Sequence, residues 1–392
     1  MLRYLTAGES HGKGLIIIID GVPSNLKIDE ENLNCVLSER QKGYGRGGRQ
    51  QIETDRVEIL SGIRFGKTTG APVSIFIKNR DYENWKSRMS ISSIPQDINE
   101  FIVPRPGHAD LSGGIRFNQR DLRNVLERAS ARETAARITA GAISKLILEE
   151  FNIQIFGYVI NLAGISTQID ETLTIKQIIE MINKNHKKFN AYLRFPDSKK
   201  IPLIIKKIDN AMKKGDTVGG IVKIITEGVP AGLGDYTQWD KKLDGKIAMA
   251  LMSLQAVKGV EFGAGFEYAK NYGSSIHDAI YFSKGKGYFR KTNNAGGIEG
   301  GVTNGSQIIV KAVIKPISTL RKGIDSVNIN TKEKSRTVYE RSDVCAVPAA
   351  SVIAENLVAI EIVNALMEQI GCVELNLMKK NYENYLKYIK KY

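Results

Sequence analysis

Gly8-Glu-Ser-His-Gly-Lys-Gly14, followed by Leu15-Ile-Ile-Ile-Ile19 and Asp20-Gly21, is the stretch on which the reading of the fold turns. Gly8-Glu-Ser-His-Gly12 satisfies G-x-S-x-G, the turn that exposes a nucleophilic serine in α/β-hydrolases, which needs a strand before it and a helix after it. Here the β-branched run Leu15–Ile19 comes after the turn and reads as a buried strand. The exposed-serine geometry is not provided. A serine hydrolase stays only as a rival, to be revealed by covalent labelling of Ser10 with a phosphonate.

Working outward, Asp29 caps a helix through about Glu39, and Val73–Ile77 is a second strand. Residues 80–104 read as a polar surface excursion anchored by Trp85 and Met89. Helical spacing of Leu122, Val125, Leu126, Ala129, Ala136, Ala140, Ile143 and Leu146 predicts one helix from about Gln119 to Phe151, with small residues in its middle. Ile153–Ile160, Ile221–Ile225 and Ile308–Ile314 are strand-like, and Val260, Phe262, Ala264 and Phe266 alternate as one strand face should. Ile175–Ile182 and Leu243–Leu254 read as helices, and Pro348–Ile370 is a long apolar helix stopped by Gly371. Residues of about 374–392 form an amphipathic helical tail that packs on its own body or a sister subunit rather than on a membrane. Strands outnumber a regular βαβ alternation, and no linker or repeat divides the chain. An α+β class with one domain over residues 1–392 is expected.

Composition agrees. The 392 residues carry 42% hydrophobic and 25% charged side chains, which excludes disorder and fibrous classes. Fifty-six Lys and Arg against 42 Asp and Glu leave +14, a balance that suits anionic partners, although a lysine- and isoleucine-rich genome gives the same sum. Cys35, Cys345 and Cys372 are far apart and odd in number, so a reducing compartment and no metal are expected. The N-terminus has no long apolar segment, and Leu15–Ile19 is too short to span a bilayer, so cytoplasmic location without membrane partners is expected.

Two further glycine motifs fail their context. Gly43-x-Gly45-x-x-Gly48 follows a helix instead of a strand, and Gly62–Thr68 is a phosphate-loop lookalike one residue short. The histidines are more informative. His11 and His108 sit in glycine turns, Gly8–Gly12 and Arg105-Pro-Gly-His-Ala-Asp110, which suit proton transfer better than core packing. His186 reads as a solvated surface residue, and His277 is undecided by residue type. Arg40, Arg46 and Arg49 flank the glycine stretch, Arg105 precedes His108, and Arg128 and Arg132 lie one turn apart on the long helix. Guanidinium forks brought together by such loops would cradle a small polyanion. Asn294–Gly305 admits either close backbone approach to a ligand or a plain hairpin, and Arg341-Ser-Asp343 either a site or an ordinary ion pair. A nucleic-acid binder would explain the charge, but aromatic residues are only 7% and no basic-aromatic stacking surface is visible.

These segments together resemble the chorismate synthase family. The likeness is carried by Gly8–Gly12, Gly43–Arg49, Arg105–Asp110, Glu127-Arg-Ala-Ser-Ala-Arg-Glu-Thr134, Gln255-Ala-Val-Lys-Gly259, Asn294–Gly301 and Arg341–Ala349, in family order along the chain. The resemblance implies a lyase of the shikimate pathway of aromatic amino-acid biosynthesis. Its reaction would be anti-1,4-elimination of phosphate from 5-enolpyruvylshikimate 3-phosphate to give chorismate. It implies reduced FMN as an obligatory cofactor without net redox change, NADPH as one source of reduction, a homotetramer, and helices sandwiched between antiparallel sheets. It implies His11 as the acid for the leaving phosphate, His108 as the proton donor to the cofactor, and Asp343 with Ser10 as the proton-relieving pair. Arg40, Arg46, Arg49, Arg105 and Arg132 match substrate-clamping positions. Ser130, Ala131, Arg132, Gln255, Ala256, Gly300, Lys315, Pro316, Ile317, Ser318, Thr319 and Arg341 match cofactor positions. Val302, Ser318 and Gln255 depart from common family choices, but none removes an ionisable group.

Overall fold

The computed structural model describes residues 1–47, 54–92, 94, 98–170, 172–340, 342–371 and 373–392. Period-two alternation builds its first layer. Along Gly14–Asp20 the side chains of Leu15, Ile17 and Ile19 turn inward, while Ile16 and Ile18 are 41% and 46% exposed. The strand expected to be buried is therefore buried on one face only. It pairs antiparallel with Arg3–Ala7 on one side and Val73–Lys78 on the other, and Val57–Ser61 completes a four-stranded sheet.

A second antiparallel sheet runs in the order Val257–Phe262, Ile308–Ile314, Gly220–Glu227, Gln154–Leu162 and Ile165–Ser166. Between the two sheets lie helices. Glu30–Gln41 and Thr134–Glu149 face the first sheet, and Val347–Ile370 faces the second, so the layers run sheet, helix, helix, sheet. Asp29 caps the first of these helices by accepting from the Glu31 backbone N–H. Val347–Ile370 is long and apolar enough to cross a bilayer, yet 89% of its apolar window is buried in the protein, which makes it the core helix. It needs close neighbours. A Cβ on Gly141 would stand 2.3 Å from Cβ of Asn356, so the small residues of the expected long helix serve helix–helix approach.

That long helix is broken. Arg123–Ala129 stops at Ser130, whose backbone is extended at φ −62° and ψ 140°, and a 3-10 turn Ala131–Glu133 leads into Thr134–Glu149. The Ser130 hydroxyl accepts from the Arg132 backbone N–H, offering a local alternative to the helical ladder. The break turns Arg128 outward to bond Thr6 and Gly8 while Arg132 turns inward. The alternation expected through Phe266 also ends early, at Phe262, and Phe266 is exposed. Gly263, at φ 55°, turns the chain where a Cβ would meet Asn294 O at 1.9 Å. Asn294–Gly305 contains a small hairpin, Ile298–Glu299 with Val302–Thr303. The tail forms helix Leu375–Lys391, which buries Leu375, Met378 and Tyr382 against the body and sets the Tyr382 ring edge-on to Phe151.

Candidate active site

Loops from both halves converge on one cavity of about 490 Å³ at the N-terminal end of the core helix. Ala346, Ala349 and Ala350 of that helix form part of its wall, so the positive end of a 24-residue helix opens onto it. The turn between the first two strands brings Ser10 and His11, the end of the first helix brings Arg40, and the glycine stretch brings Arg46 and Gly47. Arg105 and His108, the helix break from Ala129 to Arg132, Gln255 and Ala256, and Lys315 through Thr319 except Pro316 complete most of the remaining wall.

At His108 the geometry is local. Its Nδ1 lies 2.5 Å from Asp110 Oδ1, and the buried Asp110 also accepts from Arg105 Nε at 2.8 Å and Arg105 Nη2 at 3.0 Å. Burial alone would raise the Asp110 carboxyl, but hydrogen bonds from His108 and Arg105, with their charges, hold it well below the usual carboxylate range. Arg105 Nη1 donates onward to Thr319 Oγ1 at 2.9 Å. The guanidinium is thus largely spent on the turn itself, 7% exposed at the cavity wall.

His11 is held from a distance. Glu127 Oε1 and Oε2 lie 2.9 and 3.1 Å from its Nδ1, and Oε2 accepts its backbone N–H at 2.7 Å. The Trp85 ring lies against the imidazole with centroids 3.9 Å apart, and Trp85 Nε1 donates to Asp81 at 3.2 Å. Arg123 stands 5.3 Å from the same indole ring and pairs with Glu340 at 2.7 Å. Ser130 Oγ donates to Ser10 Oγ at 3.2 Å, joining the turn to the helix break.

The arginines are buried in pairs. Arg132 Nη1 bonds Asp55 Oδ2 at 2.5 Å and its other nitrogens bond Asn79, while Arg40 donates to Thr134 Oγ1 and Ala131 O. Arg46 Nη1 lies 2.7 Å from Asp343 Oδ2, whose other oxygen accepts from Gly47 N at 2.7 Å. Gln255 Nε2 donates to Glu133, and Ala256 holds φ 71°, a strained backbone for a residue with a Cβ. Lys315 bonds Gly107 O beside His108, and burial, then the Lys258 charge, lowers its ammonium from its ordinary value.

Not every expected residue gathers here. Gly300 and Pro316 do not line the cavity: Gly300 sits at the tip of the small hairpin, and Pro316 lines a neighbouring cleft with Lys207 and Asp216. Arg49 and Arg341 lie outside the described residues. His186 packs edge-on to Tyr192 with its Nδ1 buried, so it is not freely solvated, and His277 is exposed beside Tyr268. Glu127, Trp85, Asp55 and Asn79 were not singled out by sequence as site residues. Trp85 was visible only as an anchor in a polar excursion, and Glu127 only as the first residue of the Glu127–Thr134 segment that carries the family resemblance, with no role attached to it.

A cavity that gathers cations for a polyanion and places two carboxylate-held imidazoles on its wall is built to bind a small molecule and move protons, which defines an acid–base enzyme rather than a nucleic-acid binder. Comparison with known proteins narrows this class. The chorismate synthase family profile matches residues 2–367. The chorismate synthase of Aquifex aeolicus is 49% identical over 393 residues, covering 100% of this chain and 99% of that protein. That of Geotalea daltonii is 50% identical with both chains fully covered. A chorismate synthase crystal structure superposes with a TM-score of 0.79 at 41% identity, covering 100% of this chain and 99% of that one. The chain belongs to the chorismate synthase family. It is a carbon–oxygen lyase whose reaction is the elimination of phosphate that yields chorismate, and a reduced flavin is a requirement of that family.

Proposed function

We propose that the elimination takes place in this cavity, with reduced FMN as the flavin. His11 is the acid that protonates the departing phosphate. His108 and the Asp343–Ser10 pair give and take protons around the cofactor. One observation carries the reading: both histidines line one cavity, each with Nδ1 held by a buried carboxylate. The substrate bears one phosphate and two carboxylates, and Arg40, Arg46, Arg105, Arg132 and Lys315 line the wall, the arginines sharing their charge with Asp55, Asp343 and Asp110.

The residues fit a flavin. Among the described residues, Arg46 Nε and Gln255 Oε1 are buried without a hydrogen-bond partner, one a donor and one an acceptor at the cavity wall, and each is costly unless a ligand meets it. Ala129, Ser130 and Ala131 put only small side chains on their part of the wall. Bound in its reduced form, the flavin supplies electron density to the ring as the allylic phosphate departs, so the chain need not provide a strong base for a non-acidic hydrogen. The chain's own part is to orient the substrate, neutralise its phosphate and hold protons at the two imidazoles.

The test is anaerobic mixing with photoreduced FMN and 5-enolpyruvylshikimate 3-phosphate, following chorismate and phosphate together. Stoichiometric formation of both, absent with oxidised FMN, is the expected result. Oxidised FMN with NADPH then tests whether the chain recruits that reductant itself. The reading includes a homotetramer, supported by the exposed Leu5, Ile16 and Ile18 on the outer face of the first sheet. Light scattering should give four times the 43.4 kDa of one chain. It also includes folding of residues 1–392 as one unit, which a single cooperative unfolding transition would support, and a cytoplasmic location, open to cell fractionation.

A further inference from the structure

We propose that Glu127 is a positioning residue for His11, fixing which ring nitrogen carries the proton and how the ring faces the cavity. The inference rests on the reading of His11 as the acid. Both carboxylate oxygens straddle Nδ1, at 2.9 and 3.1 Å, and one of them also accepts the His11 backbone N–H at 2.7 Å. An ionised carboxylate only accepts, so Nδ1 bears the proton and any proton His11 gives or takes passes through Nε2. Turning the ring over would forfeit both Nδ1 contacts, and Trp85 at 3.9 Å blocks one face.

Beyond His11 and the approach of Arg123 one turn earlier, the Glu127 side chain has no other partner among the described residues. It is 3% exposed on Arg123–Ala129, and among the described residues all its side-chain hydrogen bonds run to His11. A buried carboxylate kept for packing alone would be replaced at no loss by an apolar residue such as the neighbouring Leu126. Its charge is compensated by Arg123 Nη1 at 3.7 Å, a cation placed on the carboxylate and not among the contacts of Nδ1. This differs from His108, where Arg105 Nη2 itself approaches Nδ1 at 3.0 Å.

The substitution Glu127→Gln keeps one acceptor oxygen but removes the charge and puts an amide NH2, a donor, where the other oxygen faced Nδ1–H, so the two-oxygen ionised partner of Nδ1 is lost. It should lower kcat by about 10²-fold, the lower range for a positioned acid, with KM within about twofold. The decisive measurement is a double-mutant cycle with His11→Ala. If Glu127 acts through His11, Glu127→Gln adds less than about a twofold loss once His11 is gone. Equal losses in both backgrounds would overturn the inference. A wild-type kcat in His11→Ala would instead sink the reading of His11 as the acid, so the two failures are distinct.

Imidazole ¹⁵N shifts of the resting protein give a second readout. The chain has four histidines, so the His11 signal is identified by its loss in His11→Ala. The expected wild-type signature is the Nδ1-protonated tautomer, shifted toward a mixture in Glu127→Gln. Should that variant fail to fold, Glu127→Asp keeps the charge for Arg123 but withdraws the carboxylate by one methylene. It should retain the tautomer and still lower kcat relative to wild type by a few-fold, because the shortened carboxylate no longer reaches both donors. An unchanged tautomer together with unchanged kcat in the folded variants refutes the role.

Discussion

The turns at His108 and at His11 each set an imidazole against a buried carboxylate, but they are built at opposite ranges. His108 meets Asp110 two residues on, in a turn that Arg105 closes within the same six residues. His11 meets Glu127 from 116 residues away, and the pair exists only when helix Arg123–Ala129 docks beneath the turn after the first strand. The backbone bond from Ser10 N to Glu127 O, at 3.0 Å, is part of that docking. The local pair is assembled by the loop itself, whereas the long-range pair reports on the whole first layer. The lesson is that two groups of similar chemistry can have different vulnerabilities: one to the loss of its own charges, the other to anything that loosens the sheet.

The comparison is broken most severely by removing the rings. His108→Ala and His11→Ala should each lower kcat by about 10²–10⁴-fold with unchanged circular dichroism. Near-normal turnover in either variant would take that histidine out of the mechanism. Next comes Asp110→Asn, which strands Arg105 in a buried site and should cost about 3–5 kcal/mol in urea unfolding. Glu127→Gln should cost less, about 1–3 kcal/mol, because Arg123 keeps Glu340 as a partner. A larger loss at Glu127 than at Asp110 would reverse the ranking of local over long-range compensation.

The pH dependence follows from the same carboxylate. Since Asp110 is held below its ordinary value in the folded state, its contribution is present above the unfolded pKa of about 3.9 and is lost as pH falls below it toward the folded value. Urea midpoints measured through the acid range should fall more shallowly in Asp110→Asn than in wild type, provided the variant stays folded; parallel slopes would show that Asp110 contributes nothing there. A smaller effect is expected from Trp85→Ala, which removes one face of the His11 clamp and should lower kcat by about 2–10-fold. The same loss in a His11→Ala background would show that Trp85 acts elsewhere. Smallest is His186→Ala, off the cavity, with unchanged turnover and a stability shift within about 1 kcal/mol.

The sequence by itself determined what depends on neighbours along the chain. Leu15–Ile19, Val73–Ile77 and Ile308–Ile314 are strands as their alternation or β-branched runs require, Asp29 caps its helix, and Gly371 at φ 85° ends the core helix. The Arg105–Asp110 turn was likewise legible as a turn, because Arg105, His108 and Asp110 meet within it, while its contacts to Thr319 and Lys315 come from far along the chain. Tertiary structure decided the rest. Helical periodicity runs unbroken through Ser130, and only the bond its hydroxyl accepts from the Arg132 backbone N–H and the packing of Arg132 against Asp55 and Asn79 show why the chain breaks there. Nothing local told that Ile16 and Ile18 would face outward, that Trp85 would lie on His11, or that Glu127 rather than another carboxylate would hold Nδ1. Backbone preference and hydrophobic period act over a few residues, whereas a hydrogen bond spanning 116 residues exists only after two layers have packed and excluded water from between them.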